Sequence, residues 1–316
     1  MREAISNTAP SKVTNEWPEL NLNEWEGAYD TIHLWMQIVG KIKLEFTPLT
    51  NHWWNTTFVL SATGLTTGII PGKYNCFEIE FDFVSHQLIV KSDDGRREFI
   101  EFRDGKVADF YFELKEILAS LGIEIHIWTV PVEMDDRLPF DKDYRFRKYD
   151  PAYANKFWKT LVQVGKVMNV FRSGFTGKSS PVHFFWGAMD MAVTFFSGKP
   201  APEHPGVPNV GKKVMAESYN SELASFGFWG GQGLGEAAFY AYTYPEPEKY
   251  SKASIEPDGA YYNSNLREFI LPYSIVRKSL LPEKAVLEFF HSTYKAAREL
   301  ANWDKQLYKE NLEVAL

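Results

Sequence analysis

Hydrophobic and polar positions change their spacing several times along the chain, and each change marks an element. Over residues 30–43, Ile32, Trp35, Ile38, Val39 and Ile42 recur at three-and-four spacing, predicting a helix with one buried face and Asp30 as its N-cap. The period then drops to two. Residues 52–62 read as a strand. Residues 77–83 read as another, with Phe77, Ile79, Phe81 and Phe83 alternating against Glu78, Glu80 and Asp82, so one face of that sheet should be wet. Residues 86–91 and 97–102 are its meander partners, separated by an Asp93-Asp94-Gly95 turn. A second helix spans 107–121, and Ile123, Ile125 and Ile127 predict a closing strand.

Residues 131–150 are rich in charge and proline and show no period, which places a boundary there. The pattern then restarts. Asp150 as N-cap and Pro151 at the first helical position open a helix to about residue 171. Strands follow near 182–196, 223–229, 237–244 and 268–271, and a last helix covers 283–303. The predicted fold class is α+β in two tandem halves, each a helix, an antiparallel meander and a second helix. Residues 17–130 form the first half and 151–304 the second, with 131–150 as linker, 1–16 as a disordered segment and 305–316 as a tail. Short words repeat between the halves: Gln37-Ile38-Val39-Gly40-Lys41 with Gln163-Val164-Gly165-Lys166, and Asn51-His52-Trp53-Trp54 with Val182-His183-Phe184-Phe185-Trp186. Internal duplication with pseudo-two-fold symmetry is one reading of these words, and chance is the other.

Composition narrows the classes. At 316 residues and 45% hydrophobic, the chain can bury a sizeable core. The first fifteen residues lack the apolar run of an export signal, and the apolar stretch 181–196 is interrupted by Gly187, Asp190 and Thr194, so no membrane span is expected. Cys76 is the one cysteine and cannot form an intrachain disulfide, which suits the cytoplasm. A net charge of -7 disfavours a nucleic-acid partner. Locally, residues 142–178 are basic, to be read either as a solvated helix face or as a phosphate-binding surface.

Familiar catalytic words fail. Gly174-Phe175-Thr176-Gly177-Lys178-Ser179 ends like a phosphate loop, but Arg172 stands where the first glycine belongs and a helix precedes it. The glycines of 227–235 do not open a helix, so they read as a flexible loop beside a pocket. Histidines remain. His52 and His183 each precede aromatic residues in corresponding words; related halves would bring them to one cleft, whereas isolated core histidines would each bond a backbone carbonyl. His33, Gln37 and Lys41 form an i, i+4, i+8 stripe, a solvated face or a ligand-facing one. His204 sits in the rigid loop Pro202-Glu203-His204-Pro205-Gly206, with Glu217, Tyr219 and Glu222 close behind. No metal set is assigned, and the cofactor is left unknown.

The words His33-Leu34-Trp35-Met36-Gln37-Ile38-Val39-Gly40-Lys41, Asn51-His52-Trp53-Trp54, Ser180-Pro181-Val182-His183-Phe184-Phe185-Trp186-Gly187, Ala201-Pro202-Glu203-His204-Pro205-Gly206 and Phe239-Tyr240-Ala241-Tyr242-Thr243-Tyr244-Pro245-Glu246-Pro247 together resemble an uncharacterised bacterial family known only as a domain of unknown function. The resemblance runs from Trp17 to Trp303. In that family's pattern a histidine precedes the glutamate matching Glu222; Ser221 stands here, which puts a metal site at that position in doubt.

The functional expectation is a small-molecule-binding protein, with catalysis as an extension of that role. Its cleft would be lined by aromatics such as Trp54 and Trp186 and by His52, His183, His204 and Glu222, with the His33, Gln37 and Lys41 stripe as further candidates. The alternative is a non-catalytic protein-interaction module that uses Lys156, Lys159 and Lys166 or an exposed aromatic surface. Oligomeric state is left open.

Overall fold

Helix α1 (Leu22–Phe46) is longer than the apolar period predicts, and Asp30 lies inside it rather than at its cap. It runs through the middle of the molecule. Trp25, Tyr29, Ile32, His33, Met36, Gln37 and Ile38 are all buried, so polar residues occupy inward positions and blur the stripe that marks a surface helix. The structure, a computed structural model, describes residues 17–207 and 209–309. The expected disordered segment 1–16 and residues 310–316 of the expected tail lie outside the described residues.

After α1 the chain does not enter the predicted strand at 52–62. His52 and Trp53 take left-handed φ values of 55° and 64° in a 3-10 turn (Asn51–Thr56), and Asn55 Nδ2 donates to Thr47 Oγ1 at 3.0 Å, tying the turn to the helix end. Only β1 (Val59–Leu60) survives as strand. The first sheet continues with β2 (Gly64–Thr66), β3 (Ile70–Pro71), β4 (Cys76–Asp82), β5 (Gln87–Ser92) and β6 (Arg97–Glu101), in the order β1-β2-β4-β5-β6 with β3 on β4, all antiparallel. The expected wet face is partly closed. Glu80, only 7% exposed, accepts from Ser61, Thr63 and Lys91, so the carboxylate is buried with its partners rather than solvated.

A short β7 (Gly105–Lys106) leads into α2 (Val107–Ser120), which packs Leu114 and Leu118 against the core. Ile123 and Ile125 are buried as their spacing predicts, yet no strand forms. The backbone N–H of His126 donates instead to the Glu45 carboxylate, 3.0 Å from each oxygen. Residues 131–150, expected as a linker, carry the fully buried Phe140 and β8 (Phe146–Arg147), paired with β7. Asp143 is buried there between Arg145 and Arg147.

The second half opens on α3 (Pro151–Ser173), where Asp150 Oδ1 accepts from the Tyr153 N–H at 3.0 Å as predicted for an N-cap. Its sheet contains β9 (His183–Phe185), β10 (Asp190–Pro200), β11 (Ser221–Trp229), β12 (Ala238–Tyr244), β13 (Tyr261–Asn263) and β14 (Glu268–Pro272) in the order β13-β14-β12-β11-β10-β9. Helix α4 (Lys212–Ser218) precedes β11; α5 (Tyr273–Lys278) and α6 (Pro282–Leu300) close the fold. Residues 305–309, expected as tail, bring Tyr308 back to pair with Phe175 and to donate to Phe171 O at 3.0 Å.

The main α+β class is thus as predicted. The two sheets meet edge to edge where Phe58 and Phe184 exchange backbone hydrogen bonds of 2.8 Å each way. From that bridge the first sheet runs outward as β1-β2-β4-β5-β6 and the second as β9-β10-β11-β12-β14-β13, so chain order is broken at the far edge of the second. Contacts across it are reciprocal: a Cβ at Gly40 of α1 would overlap the Trp186 ring, and one at Gly165 of α3 would lie 2.6 Å from Leu60 Cδ1. Both sheets draw on one continuous core. Trp25 of α1 stacks on Tyr153 of α3 at 5.7 Å, and Trp17 Nε1 donates to Glu283 of α6 at 2.8 Å. Among the described residues no helix is long and apolar enough to cross a membrane.

Candidate functional site

Successive side chains of a strand point to opposite faces, and the second sheet divides its residues accordingly. Met191, Val193 and Phe195 on β10 and Ala224, Phe226 and Phe228 on β11 are buried, and Phe226 meets Phe171 of α3 and Phe290 of α6. The other parity faces a cavity of about 930 Å³. Asp190, Ala192, Thr194 and Phe196, then Leu223, Ser225 and Trp229, then Tyr240 and Tyr242, and finally Glu268 form its floor. Helix α1, the 51–56 turn, residues 126–133 and α4 with its preceding loop complete the wall. The glycine-rich loop contributes Gln232, Gly233 and Leu234, so its expected place beside a pocket is observed.

At one end of this floor the polar groups converge. Tyr240 crosses β11 over Gly227, where a Cβ would overlap its ring, and its hydroxyl donates to Asp190 Oδ2 on β10. Burial pushes the Asp190 carboxyl up to about 6, opposed by that hydrogen bond. Glu268 is raised to about 8 and Glu133 to about 7, in both cases by burial first and then by the neighbouring charge of Asp190. Glu133 holds a left-handed φ of 56° and presents accessible surface to the cavity. The Tyr219 and Tyr242 hydroxyls lie 3.0 Å apart beside this group. Near neutral pH these carboxyls exchange protons readily, so they can donate or accept a proton or hold a positive charge. No group of His, Cys, Asp and Glu able to hold a metal is found among the described residues.

The residues singled out in the sequence divide between the cavity wall and other places. His33, Lys41, His52, Trp54 and Trp186 line it. Gln37 stands behind the wall, clamping Val132 by donating to its carbonyl at 2.6 Å and accepting from its N–H at 2.9 Å. Next to it His33 Nε2 donates to Gly187 O at 2.9 Å, and burial lowers this imidazole to about 4, keeping it neutral. Lys41 is only 6% exposed. Its Nζ lies 4.8 Å over the Trp128 ring, and burial, then Arg137, lower it to about 8. The stripe of α1 is therefore not a solvated face.

His52 is neutral and fully engaged. Nδ1 donates to Glu217 O at 3.1 Å, Nε2 accepts from Lys178 at 2.8 Å, and the ring stacks on Phe196 at 4.4 Å. Lys178, the lysine of the rejected phosphate word, is thus a partner of His52. His183, His204 and Glu222 do not line the cavity. His183 is buried at 1% against Trp54 and Phe185, without a hydrogen bond to either nitrogen, and burial lowers it to about 3. His204 lies behind the wall, its ring 4.5 Å from that of Tyr219 and its Nδ1 accepting from Gly206 N–H at 3.0 Å. Glu222 has the opposite strand parity to Leu223 and Ser225 and accepts from Ser197 Oγ at 2.8 Å. The convergence of His52, His183, His204 and Glu222 does not occur; a carboxylate group from β10, β14 and residue 133 occupies the cavity instead. For Asp190 the sequence held one weak signal, an acid in the mostly apolar segment 181–196; for Glu133 and Glu268 it held none.

No protein of curated function and no solved structure matches the chain. One family profile does, over residues 17–310, and the chain belongs to that family, a family of unknown function (DUF5996).

Proposed function

We propose that this protein binds a small organic molecule in the cavity over the second sheet, and that its carboxyl groups act on that molecule by holding charge or moving a proton. One observation carries the reading: a cavity of about 930 Å³, walled by Trp53, Trp54, Trp128, Trp186 and Trp229, into which Asp190, Glu133 and Glu268 bring titratable groups. Pockets for small ligands are mostly apolar with a few convergent polar groups, and span roughly 300–1,000 Å³. Thr194 lies on the floor, half-buried, so Thr194→Trp fills the space from a strand whose backbone bonds stay intact. A thermal-shift screen of amines, alcohols, sugars and carboxylic acids should give hits with the wild type that Thr194→Trp and Leu234→Trp abolish while still melting cooperatively. Hits that persist in both variants would sink the reading.

Two further points belong to this proposal. The antiparallel order of the strands nearest the bridge and the reciprocal contacts of Gly40 with Trp186 and of Gly165 with Leu60 support descent of the halves from one duplicated unit. The single, half-buried cysteine supports action in the cytoplasm.

A further inference from the structure

Charge inside the cavity is one-sided. Among its described lining residues Lys41 is the one lysine or arginine, set against Glu45, Glu133, Asp190 and Glu268. Lys41 and His33 stand two helical turns apart on α1, about 12 Å at the rise of an α-helix. Lys41 sits over Trp128 rather than on a carboxylate. Glu133 and Glu268 receive no hydrogen bond from any described residue, and the Asp190 charge only repels them. Carboxylates gathered in a partly closed cavity repel one another, and a positive charge arriving among them relieves that cost. Aromatic faces border the same place. Trp229 lies 5.7 Å from Tyr240, which stacks on Tyr242 at 6.1 Å, and such faces attract a cation within about 6 Å. An anion would meet like charge here, and the geometry of a metal site is absent among the described residues.

We propose that the cavity takes an organic cation, an ammonium group on an apolar body, with the nitrogen among Glu133, Asp190 and Glu268 and the body against Trp186 and Trp229, which stand at the same end of the floor. The proposal rests on the small-molecule reading of the cavity above. It carries a pH dependence, because the three carboxyls must lose their protons to meet the cation. The groups facing them from other elements titrate elsewhere: His33 of α1 near 4, and Tyr29 of α1, Tyr219 after α4, and Tyr240 and Tyr242 of β12 above the ordinary tyrosine value. Cation affinity therefore rises as pH goes from 6 to 8.

The test uses the full chain and three ring compounds of similar size: phenyltrimethylammonium, benzyl alcohol and benzoate, titrated by calorimetry. The cation should bind at least about tenfold more tightly than the alcohol, with benzoate weakest. Asp190→Asn, Glu133→Gln and Glu268→Gln should each weaken the cation at least about tenfold more than they weaken the alcohol, and any of the three that folds suffices. Alcohol binding as tight as the cation's, or benzoate tightest, overturns the cation proposal while the cavity reading stands. Binding of none of the three overturns both.

Discussion

At the scale of single residues the buried titratable groups set opposite pH dependences, and each can be isolated. His183 has its folded value lowered to about 3, so the unfolded chain takes up the proton first as pH falls. Its stabilising contribution is complete above the ordinary imidazole value and is lost as pH drops below about 6.5. Melting His183→Leu and wild type side by side should show the wild type losing about 2 kcal/mol more than the variant between pH 7 and pH 5. Parallel pH profiles would show that His183 is not held neutral. Glu268 runs the other way. Its folded value is raised to about 8, so the folded state holds the extra proton, and stability falls as pH rises from about 4.5 to 8. Glu268→Gln should gain on wild type by about 2 kcal/mol in urea denaturation at pH 8 and by little at pH 5. A constant difference would contradict the burial argument. The sequence disclosed His33, Lys41, His52, Trp54 and Trp186 as candidates because unusual side chains near aromatics stand out. It hid Glu133 and Glu268 and gave only a weak sign of Asp190, because an acid in a sequence looks like surface until the fold shows what it faces.

At the scale of elements, the strands with strict alternation and the helices with clear caps were readable: β4, β5 and β6, α2, α3 with its Asp150 cap, and β11 and β12. The misread segments share a cause. At 51–56 and 123–127 carboxylates of other elements, Glu217 and Glu45, accept the backbone N–H of His52 and of His126, and a local pattern does not contain such partners. The full length of α1 was hidden because a central helix is buried on nearly every side. Its packing makes a sharp prediction through two glycines of one helix. Gly40 lies against the Trp186 ring, whereas a Cβ at Gly27 meets no atom within 4 Å. Gly40→Ala should lower the urea midpoint by the equivalent of about 1–3 kcal/mol, and Gly27→Ala should raise stability by up to about 1 kcal/mol. Equal effects at the two positions would mean that the contact of α1 with the β9–β10 connection is loose.

At the scale of the whole molecule, one core joins what the sequence divides into halves. Trp17 reaches α6, α1 stacks on α3, and Val132 and Glu133 return to wall a cavity built on the second sheet. Calorimetry of the full chain should therefore give a single transition, and residues 151–309 expressed alone should show no cooperative melt; two resolved transitions would contradict a shared core. Acidic groups outnumber basic ones within the cavity as they do along the chain, and there the carboxyls face aromatic rings. That arrangement is what the proposed ligand rests on. The most direct check is fluorine NMR of protein labelled with 5-fluorotryptophan, titrated with phenyltrimethylammonium and, separately, with benzyl alcohol. The signals of Trp186 and Trp229 should move on binding, while those of Trp17, Trp25 and Trp35, buried in the core, stay in place. Movement confined to the core tryptophans, or no movement at saturating concentrations of either compound, would contradict a ligand site in this cavity.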